Sequence, residues 1–212
     1  MQVNVYVFRK DDWRSVQQRL EFITEDFCDR QTGIEQILGI DDLKDLKDHL
    51  QVEKTDAGKP YFPNCKPIHF SISHSGEYWV CAVALTNIGV DIQEHVIGRN
   101  ETREEATKRF RKMAHRFFHP LEAQFVEYEG GDSFYQFFTV WSAREGYVKN
   151  TGSGIDKEFS EHCVVCEDFQ SLSGENACWK AMDRYFKKTI YKKEYSLCVC
   201  ADETFEWNIQ EY

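Results

Sequence analysis

The 212-residue chain has only four prolines, no low-complexity segment and no self-similarity at a period of 20 to 50 residues. These absences exclude a proline-rich linker, a disordered tail and a solenoid. With 42% hydrophobic and 15% aromatic residues, the composition is that of a folded globular chain with a core rich in Phe and Tyr. It also lacks any run of about 18 apolar residues, the least that a membrane-spanning helix needs. Met1 to Lys10 alternates polar and apolar residues with none of the apolar core of a secretory leader. A cytoplasmic protein with no membrane partner is therefore expected, and the eight cysteines read as reduced, small hydrophobes. Cys163 and Cys166 form a CxxC, but neither a second pair nor a βαβ context accompanies it. Excess positive charge is lacking too. A net charge of -10 argues against a nucleic-acid partner, whose binding rests on neutralising many phosphates.

The charge is unevenly spread. Between Arg99 and His119 seven Lys or Arg stand against three Glu. A basic strip on an acidic chain suits the steering of an acidic partner, although a solvated helix face gives the same pattern.

Val3, Val5 and Val7 alternate as in a half-buried strand over Gln2 to Phe8. Asp11 or Asp12 is placed to cap a helix with an apolar stripe of Trp13, Val16, Leu20, Ile23 and Phe27. Shorter helical pieces follow at Ile34 to Leu38 and Leu43 to Leu50, and a Gly- and Pro-containing loop runs from Glu53 to Pro67. Ile68 to His74, Tyr78 to Leu85 and Ile88 to Gln93 read as a three-stranded antiparallel meander with turns at Ser75-Gly76-Glu77 and Thr86-Asn87. A basic helix spans about Thr102 to Phe118, a short one Leu121 to Tyr128, and a longer one Ser133 to Lys149, stopped by Gly152 and Gly154. Strands return towards the end, clearest from Tyr195 to Cys200. Helices followed by a meander thus occur twice, with the crossover near Glu94 to Asn100, which predicts two similar halves packed as one unit.

Three places carry potential chemistry. On the long helix, Phe134, Phe138, Trp141, Glu145 and Val148 share one stripe, setting a carboxylate on an aromatic face. Lys149, four residues on, either pairs with Glu145 as an ordinary helix ion pair or meets a phosphate while Glu145 helps hold a cation. In Gly89-Val90-Asp91-Ile92-Gln93, Asp91 and Gln93 project from one face of a strand while Val90 and Ile92 face the core. Two oxygen donors so placed suit a hard cation such as Mg²⁺ that keeps water and substrate phosphate in its shell, although Asp at a strand end is also a common turn residue. Ser71-Ile72-Ser73-His74-Ser75-Gly76, at a hairpin, offers hydroxyls, an imidazole and turn amides to a phosphate. A Ser/His/Asp hydrolase is disfavoured, because no GxSxG elbow precedes a helix and neighbouring Ser73 and His74 point to opposite faces.

In order and spacing, Gly58-Lys59-Pro60, Phe70 to Ser75, Gly89 to Gln93, Arg116-Phe117-Phe118 and Trp141-Ser142-Ala143-Arg144-Glu145-Gly146 with Lys149 resemble the 4′-phosphopantetheinyl transferases of the surfactin-synthetase-activating (Sfp-like) type. The match is good over residues 58 to 154. The resemblance implies an α/β (α+β) fold made of a pseudo-two-fold pair of similar subdomains, 1–97 and 98–212, each with helices packed on a small antiparallel sheet. Coenzyme A, the co-substrate, and Mg²⁺, or Mn²⁺ in its place, would lie in the cleft between them. Asp91, Gln93 and Glu145 would hold the metal, and Lys59, Ser73, His74, Asp91 and Lys149 would line the coenzyme A site. Glu145 would take the proton from a carrier-protein serine, and Lys149 would sit at the pyrophosphate being broken. An acidic acyl, peptidyl or aryl carrier would dock on Arg103, Lys108, Arg111 or Lys112. Two halves in one chain remove the need for a dimer without forbidding one, and a monomer is expected.

Two positions depart from the family pattern. Gln93 stands where many members have a second acid, keeping an oxygen donor without its charge, and Arg144 replaces the lysine before the helix glutamate. A catalytically silent relative that binds coenzyme A or a carrier is the alternative, as is another magnesium-dependent phosphate enzyme. Among the N-terminal cations, Arg30 is the candidate for the nucleotide end.

Overall fold

The structure, a computed structural model, describes residues 1–39, 46, 49–154 and 161–212. The expected helix at Leu43 to Leu50 lies mostly outside the described residues. In chain order the first elements are β1 (Gln2–Arg9), α1 (Val16–Asp29), α2 (Ile34–Leu38) and the two-residue pair β2 (Glu53–Lys54) and β3 (Pro60–Tyr61). They are followed by β4 (His69–Ser75), β5 (Tyr78–Ala84), β6 (Ile88–Glu94), α3 (Arg103–Phe117) and α4 (Pro120–Val126). Next come α5 (Ser133–Thr151), α6 (Phe169–Ser173), β7 (Asn176–Ala181), β8 (Arg184–Tyr191), β9 (Tyr195–Ala201) and β10 (Glu206–Glu211). No helix among the described residues is long and apolar enough to cross a membrane.

The fold is mixed α and β, with two four-stranded sheets in the orders β10-β1-β5-β4 and β6-β9-β8-β7. The second is antiparallel throughout, and β7, β8 and β9 form the expected meander. The first is not, because β10 lies parallel to β1. The first predicted meander also loses its third strand. β5 already has β1 on one edge and β4 on the other, so β6 finds no free edge there and pairs with β9 instead. The sheets thus exchange strands across residue 97, β6 serving the second and β10 the first.

Their inner faces pack together through Val3, Val5, Val7, Val80 and Ala82 against Val90, Ile92, Leu197 and Val199. β1 is buried on both faces, since Tyr6 and Phe8 turn outward onto α1, alongside Leu20, Ile23 and Phe27. The outer face of the second sheet carries α3, α4 and α5, through a cluster built on Phe110, Phe134, Phe137, Phe186 and Cys198. The layers run helix, sheet, sheet, helices.

Local capping sets where these helices begin. α1 starts at Ser15, whose hydroxyl accepts from Gln18 N while Gln18 reaches back to Ser15 N. The expected caps fall short because Asp12 is bound to Arg14 and Arg19, and Trp13, 80% exposed, stays outside the apolar stripe. α3 begins with the same reciprocal box between Thr102 and Glu105. α5 starts on the Asp132 carboxylate and ends at Gly152, whose φ of 70° is a left-handed cap suited to glycine.

Candidate active site

β6 lies at the seam of the two sheets, and β4 runs beside it without a backbone ladder between them. An unpaired strand edge leaves backbone N–H groups in need of acceptors. The alternate serines of β4 supply them. Val90 N donates to Ser71 Oγ and Glu94 N to Ser75 Oγ, each at 3.0 Å. Ser73, between them, breaks the pattern and donates to Asp91 Oδ1 at 2.7 Å.

Asp91 is 4% exposed, with Val90 and Ile92 turned into the core between the sheets. Lys149 Nζ, from α5, donates to Asp91 Oδ1 at 2.7 Å and to Ser73 Oγ at 2.9 Å. The other oxygen, Oδ2, is buried and has no hydrogen-bond partner. The ordinary Glu145–Lys149 helix pair does not form. Lys149 crosses to the strand, and Glu145 makes no hydrogen bond or ion pair among the described residues. Burial raises the Glu145 carboxyl above its usual range and the Asp91 charge raises it further, with Lys149 pulling the other way. Burial likewise pushes Asp91 up, against the pull of Lys149.

These groups share an open cleft of about 410 Å³, lined by Ser73, His74, Asp91, Gln93, Trp141, Glu145 and Lys149. Six predicted site residues therefore come together there, the exposed His74 at the rim. Among the described residues no three His, Cys, Asp or Glu gather as a metal cage. Gln93 lines the cleft with an amide in place of a carboxylate.

Lys59 sits elsewhere. It lines an adjoining cavity of about 280 Å³ that shares Ile72 and Lys149 with the cleft. Its ammonium donates to Asn87 Oδ1, to the carbonyl of Asn150 at 2.7 Å and to that of Ile88 at 3.3 Å. With only neutral acceptors, burial draws its pKa down to about 8. Arg30 lies away from both cavities, bound through two hydrogen bonds to Asp26.

Arg144 does not retain a site cation. It points away from the cleft, 2% exposed, and pairs with fully buried Glu122. Glu122 also accepts from His119 N and Val164 N, each at 2.9 Å. Arg144 thereby ties α5 to α4 and, through the His162 carbonyl, to the irregular stretch after residue 161, and breaking such a buried pair costs about 3–5 kcal/mol.

On α3, Arg103 pairs with Asp132 and Lys108 with Glu104, each at 2.7 Å, and Arg111 donates to Ser133. Lys112 is exposed and forms no ion pair among the described residues. It borders a shallow groove with Lys108, Arg116 and half-exposed Phe117.

Several residues inside these motifs were given no role of their own. Ser71 and Ser75 look like hairpin serines, yet their period of two on an edge strand was a legible sign of side chains standing in for a ladder. Gly89 is the point of closest approach, where an added methyl would overlap the Gly146 carbonyl oxygen and the Asn150 amide.

A buried carboxylate with one bare oxygen, a second carboxylate facing it and two lysines at adjoining cavities suit a hard cation and a phosphate-bearing ligand. This constellation falls within a family match. Residues 87–200, over half the chain, match the sequence model of the 4'-phosphopantetheinyl transferase superfamily, and the chain belongs to that superfamily. It is 31% identical over 150 residues to a 4'-phosphopantetheinyl transferase of Bacillus subtilis, covering 68% of this chain and 59% of that protein. With 4'-phosphopantetheinyl transferase Sfp of Bacillus subtilis strain 168 the identity is 30% over 162 residues, 73% of this chain and 64% of that one. With 4'-phosphopantetheinyl transferase gsp of Aneurinibacillus migulanus it is 31% over 109 residues, 51% and 40% respectively. The chain thus spans less than two thirds of the length of each of these relatives.

Proposed function

We propose that the chain transfers the 4′-phosphopantetheine arm of coenzyme A to a serine of an apo acyl, peptidyl or aryl carrier protein. The carrying observation is the Ser73–Asp91–Lys149 cluster facing Glu145, brought together from three separate family motifs. The serine hydroxyl attacks the β-phosphorus of the pyrophosphate, its proton passes to Glu145, and the bond to the leaving 3′,5′-ADP breaks. A carboxyl raised by burial is better matched to taking a proton near neutral pH than an ordinary exposed one. Lys149, lining both cavities, faces the pyrophosphate, and Lys59 in the adjoining cavity meets a phosphate of coenzyme A, with Ser73 and His74 at the near end.

The bare Oδ2 of Asp91 and the unbonded Glu145 fit Mg²⁺, or Mn²⁺, with Gln93 as a neutral donor. When bound, the ion supplies charge neutralisation at the attacked and leaving phosphates. The active cleft lies between subdomains 1–97 and 98–212, and the protein acts as a cytoplasmic monomer.

Intact mass of an apo carrier incubated with the protein, coenzyme A and Mg²⁺ tests this. The carrier gains about 340 Da, the mass of the arm, and Glu145→Gln slows the gain about 10²–10⁴-fold, as loss of a general base does. Coenzyme A binding without any mass gain on several unrelated carriers would establish a silent binder, the reading that Gln93 favours.

The carrier, an acidic helical domain, docks on the basic face of α3 that holds Arg103, Lys108, Arg111 and Lys112. Lys112, with no carboxylate partner among the described residues, is the most available of the four. Lys112→Glu raises the carrier KM about two- to fivefold at low salt, the scale of exposed charge pairs, and the effect fades at high salt. A KM unmoved at low salt sinks this docking face.

A further inference from the structure

Glu145 and Lys149 both ride on α5, whereas their counterpart Asp91 rides on β6. Their mutual geometry depends on how the end of α5 is held against the strand. Ordinarily the last carbonyls of a helix are met by a glycine cap or by water. Gly152 N closes on Val148 O in that way.

The Asn150 carbonyl is treated differently. It accepts Lys59 Nζ at 2.7 Å and Asn87 Nδ2 at 2.8 Å, both from outside the helix. The Asn150 side chain, 1% exposed, is also fully engaged. Its Nδ2 donates to Asn87 O and to Asp202 Oδ1, each at 3.0 Å, and its Oδ1 accepts Arg184 Nε at 2.9 Å. One residue thus ties α5 to the β5–β6 turn, to β8 and to the turn after β9. A buried amide with every group satisfied is costly to disturb, because removing one partner strands the rest.

We propose that Asn150 is a positioning residue that, clasped to Asn87, fixes the last turns of α5 on β6 and so holds Lys149 and Glu145 in register with Asp91. Its neighbour Lys149 is the residue that bridges to the strand, and Gly89, two residues after Asn87, is where the two backbones nearly touch. Asn150 hydrogen-bonds neither Asp91 nor Glu145 among the described residues, so its influence acts through α5. The functional half of this inference rests on the transfer activity proposed above.

Two variants cut the clasp from opposite sides. Asn150→Ala removes three side-chain bonds, and Asn87→Ala removes two from a half-exposed turn where folding is less at risk. Phe27→Leu, in the core on the far sheet, is the control for stability loss alone. Hydrogen exchange followed by mass spectrometry reads the clasp without any substrate. Peptides covering Val148 to Thr151 lose protection in both variants, peptides covering Phe134 to Val140 do not, and Phe27→Leu leaves both unchanged. Unchanged protection at the end of α5 overturns the proposal. With coenzyme A and a carrier, kcat of folded protein falls about 10- to 100-fold in both variants, the scale of a misplaced reacting group, while the carrier KM stays within about twofold. A kcat that merely tracks the folded fraction, as in Phe27→Leu, also overturns it. Should the wild-type protein transfer nothing, the activity reading fails while the exchange result still decides whether Asn150 holds α5.

Discussion

Gly89→Ala is expected to separate strand from helix and to do so at large cost. The new methyl would overlap two backbone groups of α5, the Gly146 carbonyl oxygen and the Asn150 amide, with the Lys149 carbonyl carbon only 3.0 Å away. Backbone cannot swing aside as the end of a flexible side chain does, so α5 must move off β6. Overpacking typically costs about 1–3 kcal/mol and occasionally more, and this variant belongs at the upper end. The displacement also carries Glu145 and Lys149 away from Asp91, so transfer per folded molecule falls about 100-fold. Urea unfolding and single-turnover transfer at a temperature where the variant is folded read the two effects separately.

Gly146→Ala supplies the contrast, because it lies on the other side of the same contact. Its added methyl meets nothing closer than Cys200 Cβ at 3.7 Å, an ordinary packing distance. Replacing a glycine inside a helix by alanine stabilises by about 0.5–1 kcal/mol. The two substitutions therefore differ in sign although their parent residues touch. Equal destabilisation by both would show that the helix packs on the strand by some other surface.

Much of this site was legible in the sequence. The stripe on α5 and the alternation of Gly89 to Gln93 each follow from a single period, and periodicity places side chains on faces whatever the tertiary partner. Which sheet a strand joins is not a property of its own period. β6 alternates as the third strand of a hairpin series should, but the edge it needed was occupied by β1, which is distant in sequence. The parallel β1–β10 pair was hidden for the same reason, since its partners lie at opposite ends of the chain. Arg144 shows a different limit. Its position beside Glu145 invited a role in the cleft, yet one residue along a helix is a rotation of about 100°, and that rotation delivers its guanidinium to Glu122. Lys149, four residues from Glu145, does face the same cleft but bonds across it to Asp91.

That cross-bond leads to the second large effect. In the protein alone, Lys149 is the cation that balances buried Asp91, occupying the side of the carboxylate that Ser73 also grips. A divalent ion held by Asp91 and Glu145, as proposed above, would then enter against a resident positive charge. Lys149→Met, similar in length but neutral, removes that competitor. Mn²⁺ is expected to bind the variant about tenfold more tightly, which corresponds to ~1.4 kcal/mol, as read by electron paramagnetic resonance of the free ion. Transfer should nevertheless fall by about 10²-fold or more if Lys149 meets the pyrophosphate as proposed, because that charge is gone. The folded-state pKa values of Asp91 and Glu145 are both raised, so protons are held on these carboxyls to higher pH than in the unfolded chain, and their favourable contribution to stability is lost as pH rises through those values. As these carboxyls ionise, the demand for a cation grows. Weaker or unchanged Mn²⁺ binding in Lys149→Met would mean that the ammonium helps to build the metal site instead of standing in for the ion.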